Sequence, residues 1–457
     1  MPHRPTSSLN SLRRVQLMDT TLRDGEQTPD VAFSSDEKLL ISEHLLEQVG
    51  VDRVEICSAR VSPAEQRTAA RIARWADERG RTQQIEALAF VDGARSVEWL
   101  RSAGILRMNL LVKGSERHCR LQLGMTPEQH RSRIRDTLAA ADHAGVALSG
   151  VYLEDWSRGS RESPAYVAAL VDELQALGVR RIYLADTLGV LGPAEVLREV
   201  RRVRRRFPDL GFEFHAHNDY GLATANCLAA VRAGAVGLHT TVNGLGERAG
   251  NACLAQVAVA LRDHAGSSTG VNEARLGELS QLVARASGLA VAHNAPLLGP
   301  SVFTQTAGIH ADGDAKAALY CSVLAPERFA RRREYALGKL SGKASLSHHL
   351  RELGVELDPA LSLEARSELL ERLREHVVEL AGCAKDGYVK DGCAADGCAK
   401  DGYVKDGCAT DGCAAHGCAA DGCAKDGYAT DGCAAHGGKR RVRPADLQAW
   451  LAPRMLR

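Results

Sequence analysis

Gly211–Gly221 reads G-F-E-F-H-A-H-N-D-Y-G, and after a gap Asn243–Asn251 reads N-G-L-G-E-R-A-G-N. Phe212, Phe214 and Ala216 alternate with Glu213, His215 and His217. Successive side chains of a strand point to opposite faces, so both imidazoles share one face. They stand at the end of that strand, just before the polar Asn218-Asp219, where an α/β barrel or an open parallel sheet places its chemistry. Such a pair is a candidate metal chelate. Taken alone, it equally suits a polar strand face.

Working outward, short aliphatic or β-branched runs alternate with amphipathic stretches as far as about residue 265. Strands are predicted at Val15–Asp19, Arg53–Cys57, Gln84–Phe90, Leu106–Val112, Gly150–Glu154, Arg181–Ala185, Gly211–His217 and Val236–Val242. Helices are predicted between them, among others at Ser35–Val49, Pro63–Arg79, Thr126–Ala144, Ser163–Leu177 and Pro193–Phe207, several entered by Ser, Thr or Pro. Eight strand–helix units in this length favour a closed (β/α)8 barrel, a TIM barrel, with its site at the C-terminal ends of the strands. An open doubly wound sheet is the alternative. Against it, no Gly-rich dinucleotide fingerprint follows the first strand.

Beyond the barrel the composition changes. We expect a flexible segment at residues 1–14, the barrel at 15–271, accessory linker subdomains at 272–381, a low-complexity tract at 382–438 and a short C-terminal segment at 439–457. In the accessory region Asn272 can cap a helix from Glu273 to Ser287, and Ser362 another reaching about Leu380. Between them Gly299–Asp314 reads as a polar loop carrying a buried histidine. From Gly382 to His436 a five-residue unit beginning with Gly recurs eleven times. A glycine every fifth residue penalises a helix, and a period of five suits no amphipathic face, so disorder is expected there.

Composition narrows the class of function. The 457 residues carry a formal net charge of +1, so no global field favours nucleic acid. Arg201–Arg206 is the local exception, read as a helix with a solvated basic face because Val200, Val203 and Phe207 keep helical spacing. No apolar run has the length of a membrane span and no secretion signal opens the chain, so a cytoplasmic protein is expected. Eight of the thirteen cysteines lie in the repeat and the other five are scattered, which suits a reducing compartment.

The first predicted strand ends in M-D-T-T-L-R-D-G-E-Q-T (Met18–Thr28), which puts Arg23 and Asp24 where a barrel presents catalytic groups. A carboxylate there and two imidazoles from strand seven would suit a borderline divalent ion with positions open to substrate oxygens. R-D-G is also simply a turn sequence.

Together T-L-R-D-G-E-Q, H-A-H-N-D and N-G-L-G-E-R-A-G-N, in this order, resemble the acetyl-CoA-condensing barrel enzymes: 2-isopropylmalate, homocitrate and citramalate synthases. The resemblance runs from about Val15 to Ser347. It implies an acyltransferase of branched-chain amino-acid biosynthesis, for isoleucine or leucine, that uses a divalent metal (Mn, Mg, Zn or Co) and acetyl-CoA as co-substrate. It implies Asp24, His215, His217 and Asn251 as metal ligands, Arg23 on the keto oxygen of a 2-oxo acid, and Thr187 on its carboxylate. Glu154, in V-Y-L-E-D-W-S, would be an active-site carboxylate. His310 and Asp312, in G-I-H-A-D-G-D, with Tyr320 following, would reach the neighbouring subunit's site in a homodimer. A lyase of the same superfamily would share R-D-G and H-x-H, but G-I-H-A-D-G and L-G-K-L-S-G-K-A-S (Leu337–Ser345) resemble the synthases.

Y-L-E-D-W-S, E-I-C-S-A-R-V-S and F-T-Q-T-A-G-I-H-A-D-G-D look most like spirochaete-type citramalate synthases, which use pyruvate. Leu88 and Tyr152 match positions that in those enzymes close a small apolar pocket around the pyruvate methyl. A few methylenes discriminate by only about 1–3 kcal/mol, so 2-oxoisovalerate, the isopropylmalate substrate, stays as the alternative. Homocitrate synthesis is less favoured, because that branch usually has Glu where Asp24 stands and needs a cation for a second carboxylate. Feedback-regulated members continue into an amino-acid-binding domain; with the sequence stopping at Arg457, insensitivity to leucine and isoleucine is expected.

Overall fold

The computed structural model describes residues 13–386 apart from 339–340, 353, 356 and 358–360. Eight parallel strands close into a barrel in strict chain order: β1 Gln16–Asp19, β2 Arg53–Ser58, β3 Ile85–Phe90, β4 Arg107–Lys113, β5 Ala147–Glu154, β6 Arg181–Asp186, β7 Gly211–Ala216 and β8 Gly237–Thr240. β8 returns to β1 with Gln16 opposite Gly237 and Asp19 opposite Thr240. All eight predicted strands are present, and the fold is the TIM barrel expected.

Alternation sorts the strand residues by face. Ile56, Leu110, Val151, Leu184 and Phe214 point outward and belong to the large apolar core under the helices. The opposite parity turns inward and is largely polar: Arg53, Glu55, Glu86, Asn109, Tyr183, Glu213 and His239 are all buried. Arg53 donates from Nη2 to both oxygens of Glu213, at 2.7 and 2.6 Å, and from Nη1 to Glu86 at 3.2 Å and Tyr183 at 3.0 Å. His239 Nε2 sits 3.0 Å from Glu213, and Asn109 donates to Glu55 and Glu86. The floor of this barrel is thus an ionic plug rather than layers of aliphatic side chains.

The helices follow the sequence signals. Thr126 and Gln129 make a capping box for Pro127–Ala144, which ends at Gly145 in the left-handed region. Pro193–Arg206 buries Val196 and Val200 and leaves its arginines exposed, the basic face read from the sequence.

Contacts divide the chain into two compact units: residues 1–303 with 321–333, and residues 304–320 with 334–457. The composition change at residue 272 falls inside the first. There Asn272 accepts from Ala274 N, and a short 3-10 turn leads into the helix Leu276–Ser287. The second unit has a small core of Leu337, Leu346, Leu350, Leu373 and Val377. Ser362 caps its last helix as expected, accepting from Ala365 N at 3.1 Å.

Two expectations are corrected in this unit. Gly308–Ala317 is a helix rather than part of a polar loop, and His310 on it is half-exposed rather than buried. Its glycines, Gly308 at the start and Gly313 inside, and its lack of apolar periodicity hid it. The last helix runs Leu363–Asp386, one unit into the repeat where glycine spacing argued against a helix. The rest of the repeat, the 439–457 segment and residues 1–12 lie outside the described residues.

Candidate active site

At the C-terminal ends of the strands, β1 delivers Arg23 and Asp24 through a turn fastened by the amides of Arg23, Asp24 and Gly25 on Thr20 O. β7 delivers His215 and, just beyond its end, His217. The ligand atoms of Asp24, His215 and His217 all lie within 4.8 Å of one another, and this is the one group among the described residues that could hold a metal ion. His215 Nε2 stands 3.1 Å and His217 Nε2 4.0 Å from Asp24 Oδ2. The imidazoles share one face, as strand alternation required.

Whether the group fits a metal can be read from its lone pairs. Asp24 Oδ2, His215 Nδ1, His217 Nδ1 and Asn251 Oδ1 are buried and make no hydrogen bond. Buried polar atoms ordinarily find partners, so the unsatisfied Asp24 Oδ2, faced by Nε2 of both imidazoles, is an oxygen that a metal ion would satisfy. Burial by itself would raise the Asp24 carboxyl, but Arg23 and His215 outweigh it and hold Asp24 well below the usual carboxylate range. Burial, with the neighbouring His215, lowers His217 to about 4, so it is neutral and its lone pair free near pH 7. An ionised carboxylate with a neutral imidazole is the state metal ligation demands. Asn251 is held by its Nδ2 on Leu245 O at 3.0 Å and by an antiparallel bridge to His217. Gly246, at φ 150°, is needed beside it: a Cβ there would stand 2.1 Å from Asn251 Nδ2.

A cavity of about 210 Å3 opens next to these groups. Arg23, Asp24, His215, His217, Leu88, Tyr152, Glu154 and Thr187, all named from the sequence, line it. Phe90, Leu111 and Gln27 line it too and were missed, although Phe90 and Leu111 share strand parity with Leu88 and Asn109. Arg23 is oriented from beneath, its Nε donating to Glu55 at 2.7 Å and its Nη2 to the Tyr152 hydroxyl at 3.2 Å. Tyr152 in turn donates to Glu55 at 3.2 Å. Glu55 is therefore the anchor of both, and only the inward parity of E-I-C-S hinted at it.

Thr187 Oγ1 accepts from Asp155 N at 2.8 Å. With that lone pair used, its hydroxyl proton is left to donate into the cavity. Glu154 is paired with Lys113, its register partner on β4. Arg248, in the Gly-rich loop, donates to Asp219 at 2.8 Å and to Thr187 O at 2.7 Å, tying that loop to the ends of β6 and β7. In the second unit, the rings of His310 and Tyr320 meet at a tilt of 35° with centroids 4.1 Å apart, and Asp312 accepts from Lys316 at 2.7 Å.

Comparison with known proteins now bears on this geometry. Residues 14–283 match the HMGL-like family model, and residues 297–376 match the homocitrate synthase post-HMGL domain-like model. A Methanopyrus kandleri protein named as an (R)-citramalate synthase is 37% identical over 79% of this chain and 68% of its own length. One from Ignicoccus hospitalis named as a 2-isopropylmalate synthase is 34% identical over 79% of this chain and 88% of its own. A homocitrate synthase of Frankia alni is 36% identical over 77% and 97%. Among solved structures, the HMG-CoA lyase of Bacillus subtilis aligns with a TM-score of 0.53 at 22% identity, covering 61% of this chain and 95% of that one, a likeness of fold. With matches to both domain models and relatives covered over most of their length, the chain belongs to the HMGL-like family, among its citramalate, 2-isopropylmalate and homocitrate synthases.

Proposed function

We propose that this protein condenses acetyl-CoA with pyruvate to give citramalate, releasing CoA by hydrolysis of the new thioester. The observation that carries the choice of acid is the cavity wall. Leu88, Phe90, Leu111 and Tyr152 give the cavity that Arg23 lines an apolar wall, which we read as closing around a methyl rather than a branched side chain. Arg23 is the one guanidinium or ammonium among the lining residues and is already paired with Glu55, so a second carboxylate, as homocitrate formation requires, finds no cation. The alternative is 2-oxoisovalerate, favoured by the 2-isopropylmalate synthase relative at 34% identity, nearly as similar as the citramalate one.

Asp24, His215, His217 and Asn251 would hold a divalent cation, which when bound supplies Lewis acidity to the keto oxygen. Arg23 donates to that oxygen and offsets the negative charge that develops there as carbon attacks. Thr187 donates its hydroxyl to the 2-oxo acid carboxylate. Tyr320, from the second unit of a neighbouring copy in a homodimer, contacts substrate, and Glu154, with that unit's His310 and Asp312, forms the proton-transfer chain. It takes a proton from the acetyl methyl; the resulting carbanion adds to C2 of the oxo acid, and the alkoxide is reprotonated. Water then cleaves the thioester to free thiol and carboxylate.

The buried thiols of Cys57, Cys119, Cys227 and Cys253, all free, support a reducing, cytoplasmic setting. Among the described residues no helix is long and apolar enough to cross a membrane.

A thiol reagent that reads CoA release, with pyruvate and 2-oxoisovalerate in parallel, tests the assignment. A kcat/KM for pyruvate at least tenfold above that for 2-oxoisovalerate supports it. The reverse order moves the protein to isopropylmalate synthesis, and no release with either acid removes the condensing activity.

A further inference from the structure

Lys113, at the end of β4, was not singled out by its sequence context, yet its backbone is held more tightly than its position at a strand end requires. Its carbonyl accepts from the Tyr166 hydroxyl at 2.9 Å, and its amide points at His130 Nε2, 3.5 Å away. His130 Nδ1 lies 2.9 Å from that same Tyr166 oxygen. The three contacts fix their own proton assignment. Since the Tyr166 hydroxyl donates to Lys113 O, it accepts from His130 Nδ1–H, which leaves Nε2 bare to accept from the Lys113 amide. Only a neutral imidazole closes this ring. His130 is fully buried, and burial, with the charges of Lys113 and Arg131, lowers it to about 4, so the ring is intact across the neutral range.

The next residue adds to the constraint. Gly114 N donates to Glu154 O at 2.7 Å, and a Cβ on Gly114 would lie 2.7 Å from Leu153 C and 2.8 Å from Glu154 O. Just past β4 the backbones thus leave no room for a side chain at Gly114, next to the point where Lys113 and Glu154 face each other in register. The two side chains are 12% and 22% exposed, and Lys113 Nζ is in contact with Glu154 Oε2. Glu154 lines the cavity, and Lys113 is paired with it from β4.

We propose that Lys113 is a positioning residue, held by the His130–Tyr166 ring, that aims the Glu154 carboxylate into the substrate cavity for proton transfer. The ammonium satisfies one carboxylate oxygen and leaves the other to the substrate. The inference rests on the proton-transfer role proposed for Glu154. It goes beyond that role in assigning the orientation to a salt bridge locked through the backbone.

The test compares kcat and KM for CoA release in the full-length protein and in Glu154→Gln, Lys113→Met, Lys113→Gln, Lys113→Arg and Tyr166→Phe. Glu154→Gln should lower kcat at least a hundredfold. Lys113→Met, or Lys113→Gln should the former fail to fold, should lower kcat at least tenfold with KM for the oxo acid within about twofold. Lys113→Arg should recover kcat to within about threefold of the parent, and Tyr166→Phe should lower it about threefold. Full kcat in either neutral variant overturns the proposal, as does equal loss in Lys113→Arg and Lys113→Met, which would mark a packing defect. A harmless Glu154→Gln, or a parent that releases no CoA, overturns the function assignment and this inference with it.

Discussion

The floor and the mouth of the barrel are built from the same chemistry and end in opposite states. On the floor Arg53, Glu86, Glu213, Asn109 and His239 satisfy one another, and only Arg53 Nε and His239 Nδ1 lack a partner. At the mouth, past the ends of β1 and β8 and at the end of β7, Asp24, His215, His217 and Asn251 each keep an oxygen or nitrogen unused. Charges that pair internally hold the fold, and removing one member leaves the other stranded in low dielectric. Charges that keep open lone pairs beside their partners, as Asp24 does beside Arg23 and His215, are kept for something that binds. The contrast separates a structural ionic cluster from a functional one without reference to any relative.

Substitutions at the two levels should therefore fail differently. The largest effect belongs to the mouth: Asp24→Asn should reduce CoA release on the order of a thousandfold, by loss of a charged ligand, while the protein stays folded. On the floor, Glu213→Gln takes a charge partner from Arg53 and from Arg181 and should cost about 3 kcal/mol in urea unfolding, while protein that remains folded keeps its metal. An Asp24→Asn protein that unfolds, or a Glu213→Gln protein that is stable but inactive, would erase the distinction.

The acid limb of stability sharpens it further. His130 titrates near 4 in the fold and near 6.5 when unfolded, so the unfolded chain takes up a proton first as pH falls. Its contribution is complete above pH 6.5 and is lost as pH falls from there to about 4. His217 and His239, lowered to about 4 and about 3 chiefly by burial, act in the same direction. Replacing His130 with Gln should flatten the stability–pH curve across that window by an amount on the order of 2 kcal/mol. Equal slopes in both proteins would show that His130 is not buried neutral. The smallest effect concerns the wall: Leu88→Ala should improve 2-oxoisovalerate relative to pyruvate about tenfold, the worth of a few methylenes. An unchanged ratio would mean that Leu88 does not limit the acid's size.

What was legible in the sequence was what period and motif encode. Phe212–His217 announced its two faces, and Asn272 and Ser362 announced their helices, because alternation and capping are local. Glu55 and Lys113 were not legible, since each acquires meaning from a partner on another strand: Glu55 from Arg23 and Tyr152, Lys113 from Glu154, His130 and Tyr166. The ionic floor was hidden for the same reason. Arg53, Glu86 and Glu213 each look like surface residues until the barrel closes around them. Gly308–Ala317 escaped because a helix with two glycines and no apolar stripe has no periodic signature.

The most direct test of the open mouth is metal content. Dialysed against chelator, reloaded with Mn, Co or Zn and freed of excess, the parent should retain one ion per chain by elemental analysis, and His215→Ala should retain none while staying folded. Equal metal in the two proteins, or none in the parent, would contradict a site built by Asp24, His215 and His217.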